Sequence, residues 1–139
     1  MSGRWTQEKI ADKTVDFFDP SGSNAPRFAI LFLHDGGLET LVDKPTFTGV
    51  LDKLQLGCAC PHGKHSWWTD HIWPAFDPRL TAEQHVIRNV LPVIHQRWQL
   101  GPRAVGLLGI SMGGQGALRH SDQATRGTTR RAPMPPATV

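Results

Sequence analysis

The sequence predicts an α/β fold in which a mostly parallel sheet is flanked by helices. Three short apolar runs, at residues 27–33, 55–60 and 104–110, have the length and composition of strands buried on both faces. Segments with helical features lie between and after these runs. This alternation of strand and helix is typical of a parallel sheet covered by helices.

An extended segment precedes the first of these strands. Residues 10–18 (IADKTVDFF) are dense in apolar side chains without helical spacing, which predicts a strand. Proline, glycine, serine and asparagine cluster at residues 19–26 and predict a turn or hairpin loop. The N-terminal part of the chain is therefore expected to form a hairpin.

Two segments have the features of helices. Residues 45–54 start with a proline, which suits a first helical turn, and are expected to form a short helix. Residues 81–98 carry an apolar stripe, and Thr81 with Gln84 forms a capping-box pattern at their start. Pro92 lies inside this second helix and is expected to bend it.

Composition bounds the class of protein. The 139 residues fit one small domain at residues 1–120, followed by a proline- and arginine-rich tail at 121–139 that we expect to be disordered. The net charge of +3 is mild and shows no basic cluster with interleaved aromatics, so nucleic acid is not an expected partner. No apolar run approaches the ~20 residues that cross a bilayer, and no signal peptide is visible, which predicts a cytoplasmic protein without membrane association.

The strongest chemical signal is Gly109-Ile110-Ser111-Met112-Gly113, which matches G-x-S-x-G between a predicted strand and a predicted helix. A strained turn of this kind exposes a serine hydroxyl, and its glycines let the backbone pass close by. Ser111 is therefore the candidate nucleophile. The alternatives are a glycine-rich helix cap or a phosphate-binding turn, although the glycine patterns of phosphate loops are missing nearby.

A second signal, His34-Asp35-Gly36-Gly37, ends the strand at 27–33. A serine hydrolase needs two backbone N–H donors for the oxyanion, one after the nucleophile and one from an earlier strand's loop. These donors are predicted to be Met112 and Gly36, with Gly37 as the alternative; a simple turn is the other interpretation. We expect His34 to be structural rather than catalytic.

The long segment at residues 61–80 is rich in histidine, tryptophan and proline, and long irregular segments in compact domains are usually functional. Its tryptophans either line an acyl pocket or cover the core. The predicted substrate pocket contains His34, Trp67, Trp68 and His71.

The histidines of this segment and the two cysteines before it suggest two further roles, a catalytic base and a zinc site. His62, His65 and His71 are weaker candidates to approach the serine as a base. A zinc site at Cys58, Cys60, His62 and His65 is disfavoured, because zinc sites usually space a cysteine pair by two to four residues. Both cysteines are expected to point to one face of a strand and pack there. No metal and no cofactor is predicted.

Three stretches together resemble the esterase D-like branch of the α/β-hydrolases, which includes S-formylglutathione hydrolases. They are RFAILFLHDGG, CPHGKHSWWTDHIWPAFDP and GLLGISMGGQGALR. The resemblance covers about residues 10 to 119 and implies hydrolysis of small carboxylic esters or thioesters. It implies Ser111 as nucleophile, and Met112 and Gly36 as oxyanion donors.

One departure from that family concerns the rest of a catalytic triad, whose acid and histidine follow the serine on later strands. Residues 112–139 hold one acid, Asp122, and one histidine, His120. Nine residues of helix would carry His120 ~13 Å from the serine, whereas a base must approach within ~3 Å. His120 is therefore not the expected base.

These observations predict a partial α/β-hydrolase fold that lacks its C-terminal strands, as a truncated or frame-shifted gene would give. An exposed sheet edge would favour self-association. The function predicted is that of an impaired serine esterase. The alternatives are an inactive fragment or a binding module that uses the loop at 61–80.

Overall fold

A computed structural model describes residues 3–35, 37–66 and 68–109 of the chain. Within these residues a single sheet contains five strands in the order β1-β2-β4-β3-β5. The strands are β1 Arg4–Ile10, β2 Lys13–Asp19, β3 Ala29–Leu33, β4 Gly57–Pro61 and β5 Val105–Gly109. The sheet is mixed: β1–β2 and β2–β4 are antiparallel, and β3 pairs in parallel with both β4 and β5. The three predicted parallel strands are confirmed.

The hairpin forms earlier in the chain than the sequence predicts. Residues 10–18 are not one strand, because the chain reverses at Ala11 and Asp12, whose φ angles are 49° and 64°. Two consecutive residues with positive φ match the right-handed twist of the flanking strands. Residues 19–26 connect β2 to β3 and do not form a hairpin, because β4 lies between those two strands in the sheet.

Helices cover both faces of the sheet. The first helix is α1 Pro45–Lys53, preceded by a 3₁₀ turn at Leu41–Asp43. A second helical segment consists of α2 Ala82–His85, a π-helical turn Val86–Val90 and α3 Leu91–Trp98. Another 3₁₀ turn, Pro102–Ala104, leads into β5.

Side-chain alternation along the strands separates two cores. On one face the strands pack against α2, the π-helical turn and α3, and the buried side chains there include Leu31, Ala59 and Ile94. On the other face the strands pack against α1 and the 3₁₀ turn before it, with Phe32 and Leu51 among the buried residues. Because β3 contributes buried side chains to both cores, its sequence is apolar at every position.

The predicted long helix is present, and its N-terminal capping box is confirmed. The side chain of Thr81 accepts from the backbone N–H of Gln84, and the Gln84 side chain accepts from the N–H of Thr81. The bend at Pro92 stays a prediction; just before it lies a π-helical turn, in which Leu91 donates its N–H to the carbonyl of Val86. Pro92 has no N–H to donate, so the ladder is interrupted at this point.

Cys58 and Cys60 point to the same face of β4, as predicted. Both side chains are fully buried, and their sulfur atoms lie 3.8 Å apart as free thiols. The hydrogen bond between the Cys58 thiol and Cys60, together with burial, raises the pKa of the Cys58 thiol well above its ordinary value. In the described part of the chain, no helix is long and apolar enough to span a bilayer.

His85, at the end of α2, is fully buried next to the ring of Phe76. Its Nδ1 faces the side-chain nitrogen of Asn89 at 3.2 Å, and its Nε2 has no hydrogen-bond partner in the described part of the chain. Burial, with a smaller contribution from the charge of Lys13, lowers the pKa of His85 to about 4.

The buried histidine predicts acid sensitivity of the fold. An unfolded histidine titrates near pH ~6.5, so between pH ~6.5 and ~4 the unfolded chain binds the additional proton and the free energy of unfolding falls as the pH is lowered. The contribution of His85 to this slope is at most ~1.4 kcal/mol per pH unit. The variant His85→Gln is expected to show a shallower slope in urea denaturation between pH ~6.5 and ~4.

The matched control for this prediction is His71→Gln, because His71 is an exposed histidine. It is expected to keep the wild-type slope. An identical slope in the wild type and His85→Gln would contradict the interpretation.

Candidate functional site

The carboxyl ends of the three parallel strands meet at one edge of the sheet. Leu33, the last residue of β3, pairs with Gly109, the last residue of β5. The last residues of β3 and β5 therefore lie side by side at this edge, one strand spacing of ~4.8 Å apart. Ligands of open α/β sheets bind at this edge.

Four of the predicted site residues lie outside the described part of the chain. They are the nucleophile Ser111, the oxyanion donors Met112 and Gly36, and the pocket residue Trp67. The predicted tail at 121–139 also lies outside it. The described residues include the ends of β3 and β5 and most of the loops after β3 and β4, and the assignments to the four residues outside them stay predictions.

The loop after β3, here called the β3 loop (residues 34–35 and 37–40), is held by the carboxylate of Asp35. The N–H of Gly37 donates to Oδ1 of Asp35 at 2.9 Å, and the N–H of Leu38 donates to the Asp35 carbonyl at 3.1 Å. Because the carboxylate occupies the N–H of Gly37, this geometry favours Gly36 over Gly37 as the predicted oxyanion donor.

His34 links the β3 loop to the end of β4. The N–H of Gly63 donates to Nε2 of His34 at 2.8 Å, so the proton of the neutral ring is on Nδ1, which donates to the Asp35 carbonyl at 2.9 Å. The side chain is 1% exposed, and burial lowers its pKa. Both nitrogens are engaged with backbone groups, which supports the structural role expected for His34.

Trp68 lies beneath the β3 loop and is fully buried in the core. Its indole N–H donates to the carbonyl of His34 at 3.1 Å, and its ring meets the imidazole edge-on with centroids 5.0 Å apart. A substrate-pocket role for either residue stays a prediction, since it requires a buried side chain to become accessible.

The loop after β4, here called the β4 loop (residues 62–66 and 68–80), forms an open cavity of about 360 Å³. His71, one of the predicted pocket residues, lines it. The other lining residues are His65, Ser66, Thr69, Ile72 and Trp73. Ile72 and Trp73 are 46% and 45% exposed, so apolar surface is presented to solvent at this position.

A charged cluster at the same edge was not predicted from the sequence. Asp16, on β2, is 5% exposed and accepts three side-chain hydrogen bonds. Its Oδ2 accepts from Thr40 and from Nε2 of His62, each at 2.8 Å, and its Oδ1 accepts from Gln7 at 2.9 Å. The signal available in the sequence was an acid inside the apolar run TVDFF.

The residues of the disfavoured zinc site have other partners in the structure. Cys58 and Cys60 are hydrogen-bonded to each other inside the core, and His62 is bonded to Asp16. No group of three or more histidine, cysteine or acidic residues within residues 3–35, 37–66 and 68–109 is arranged to hold a metal ion.

The strand order, the helices on both faces and the parallel β4-β3-β5 unit together define the fold of the α/β-hydrolases. Solved structures of this fold superpose on most of the chain. No family model matches the sequence, and no curated protein sequence matches it.

Three of these structures illustrate the similarity. The fluorophosphonate-binding serine hydrolase F of Staphylococcus aureus has a TM-score of 0.71 at 14% identity and covers 87% of this chain and 52% of its own. A ferulic acid esterase has a TM-score of 0.68 at 15% identity, over 88% and 56%. An S-formylglutathione hydrolase from Agrobacterium tumefaciens has a TM-score of 0.63 at 16% identity, over 87% and 52%. The chain thus spans about half the length of these proteins.

Removing the imidazole of His34, which accepts from the N–H of Gly63, is expected to lower the free energy of unfolding measurably. His34→Phe keeps an aromatic ring but leaves the buried N–H of Gly63 without a partner, at a cost of about 1–3 kcal/mol in the free energy of unfolding. Urea denaturation at neutral pH measures this loss. The exposed His71 provides the control, and His71→Phe is expected to stay within ~0.5 kcal/mol of the wild type. Equal stability of both variants would show that the contact contributes nothing.

Proposed function

We propose that this chain carries the nucleophile half of a serine hydrolase that acts on small carboxylic esters or thioesters. The main supporting observation is the pairing of Leu33 with Gly109 in parallel strands. This register places the end of β3 beside Gly109, the first residue of the G-x-S-x-G motif, and an oxyanion hole requires the β3 loop and that motif to start side by side. The α/β-hydrolase fold supports the proposal, and so does the G-x-S-x-G motif directly after β5.

In the proposed reaction, the Ser111 oxygen attacks the ester carbonyl and forms a tetrahedral intermediate. The backbone N–H groups of Met112 and Gly36 stabilise its negative oxygen, and collapse expels the alcohol or thiol and leaves an acyl-enzyme. Water then attacks the acyl-enzyme, releases the acid and restores the serine.

The proton of Ser111 requires a general base, and His34 is unsuited because backbone groups occupy both of its nitrogens. Within these 139 residues, His120 and Asp122 are the histidine and the acid that follow the serine. A helix starting at the serine would carry His120 ~13 Å away. We therefore propose that neither His34 nor His120 is the base of this reaction, and that the oxyanion hole contributes to catalysis independently of that base.

A second candidate function is ligand binding without hydrolysis. It is favoured by the open cavity of the β4 loop, where Ile72 and Trp73 are exposed. Apolar pockets of this size hold small molecules. A ligand that binds equally well to the wild type and to Ser111→Ala, with no product formed, would favour this function over an esterase.

The cytoplasmic location and the self-association expected from the sequence remain proposals. β5 pairs with β3 alone among the described strands and lies at one end of the sheet. Sedimentation over a range of concentrations would reveal a dimer formed through that edge.

Covalent labelling tests the proposed nucleophile. A fluorophosphonate forms a bond between its phosphorus and the serine oxygen while fluoride leaves and the serine proton is released to solvent. We expect site-specific labelling of the wild type at Ser111, because the oxyanion hole alone retains ~10³–10⁴-fold catalysis over water. Ser111→Ala is expected to remove the adduct.

Mass spectrometry of the intact protein and of its peptides measures this labelling. Ser23→Ala, in an exposed loop, is the control and is expected to be labelled like the wild type. Equal labelling of Ser111→Ala and the wild type would exclude Ser111 as the nucleophile.

A further inference from the structure

The β3 loop is attached at two points, one on each side of the glycine pair at 36 and 37: directly to the β4 loop, and through Asp16 of β2. At the start of the loop, His34 accepts from the N–H of Gly63. At its far end, Thr40 donates to Asp16, which also holds His62. The two attachment points on the β4 side, His62 and Gly63, are consecutive residues.

The second attachment depends on a buried charge. Asp16 is 5% exposed, and all three of its side-chain hydrogen bonds are 2.8–2.9 Å long. Burial alone would raise the pKa of Asp16, but the bonds from His62, Gln7 and Thr40 outweigh it and lower the pKa below its ordinary value. The carboxylate is therefore ionised at neutral pH, and its bonds are of the strong, charge-assisted kind.

An exposed ion pair in the same region provides a contrast. Lys44 donates to Glu39 at 2.8 Å, but the side chains are 41% and 71% exposed. Exposed pairs of this kind contribute little to holding a backbone in place. Thr40, the immediate neighbour of Glu39, is joined to the buried carboxylate instead and can restrain the loop.

We propose that Asp16 is a positioning residue of the oxyanion-hole loop, acting through Thr40 on the β3 loop and through His62 on the β4 loop. This inference rests on the proposed function, in which an N–H of the β3 loop stabilises the oxyanion. The buried carboxylate of Asp16 joins β2 to both loops and so restrains the loop that carries that N–H. Asp16 itself does not contact the reacting atoms.

The test is the rate of covalent labelling at Ser111, measured at several fluorophosphonate concentrations. Thr40→Val removes one bond to Asp16 and keeps the other two. We expect the maximal labelling rate to fall ~10-fold while the concentration for half-maximal rate stays within ~2-fold, because a misplaced donor weakens the transition state and not the initial binding. Thr40→Ser, which restores the hydroxyl, is expected to recover most of the rate.

Asp16→Asn is the stronger perturbation, since an amide cannot accept from all three partners. We expect a fall of up to ~100-fold in the maximal rate, the size that a misplacement of ~1 Å can produce. Glu39→Gln is the matched control, because it disrupts the exposed pair in the same loop and leaves Asp16 untouched. It is expected to label at the wild-type rate.

Hydrogen exchange provides a reading that does not depend on labelling. The amides of Gly37 and Leu38 are expected to exchange faster in Thr40→Val than in Glu39→Gln, whereas the amides of β3 remain unchanged. Unchanged exchange of the loop overturns the inference even if Asp16→Asn fails to fold. Faster exchange with an unchanged maximal labelling rate also overturns it, because the loop would then be restrained without consequence for the reaction.

If the proposed function is wrong, the labelling and exchange experiments give a different combination of results. A wild type that forms no adduct at Ser111 contradicts the serine hydrolase, while the exchange measurement still decides whether Asp16 holds the loop. If the wild type is labelled, and Thr40→Val and Glu39→Gln are labelled at equal rates, the serine hydrolase proposal stands and the positioning role of Asp16 is rejected.

Discussion

The parallel pairing of β3 with β4 on one side and β5 on the other determines the geometry of the candidate site. The registers place the carboxyl ends of the three strands at one edge, with Leu33 opposite Gly109. A shift of one residue would reverse which face each side chain meets, and both faces of β3 are buried. Packing on both faces of β3 therefore stabilises this register, and the register determines which loops lie close together.

The loops at this edge are held by two histidines in different environments. His34 is buried and neutral, and it accepts one backbone hydrogen bond and donates another. His62 is partly exposed and lies against the ionised Asp16. Neutral imidazole suits the dry interior because it needs no counter-charge, whereas the buried carboxylate needs several donors to offset its desolvation. Together they restrain a loop that contains two glycines and would otherwise be flexible.

The sequence predicted correctly those features whose interactions lie within a few residues of one another. The capping box at Thr81 and Gln84 is read from four consecutive residues, and the structure confirms it. The common face of Cys58 and Cys60 follows from the two-residue period of a strand. An N-terminal hairpin was predicted, but its turn was placed at residues 19–26 instead of at Ala11 and Asp12. These two residues carry no glycine or asparagine signal for their positive φ angles, and pairing between β1 and β2 imposes the turn. The Asp16 cluster was missed for a similar reason, since it joins residues 24 and 46 positions apart.

The sequence by itself determined the class of fold, the three parallel strands and the position of the G-x-S-x-G motif after the last of them. These follow from periodicity and from residue types that act over a few positions. Only the tertiary structure decided that Trp68 belongs to the core, that the N–H of Gly37 is occupied by Asp35 and that Asp16 joins two loops. The contacts of Trp68 and Asp16 depend on strands and loops far apart in the chain, which no local pattern encodes. The bond between Asp35 and Gly37 spans two residues, but the fold of the loop decides whether it forms.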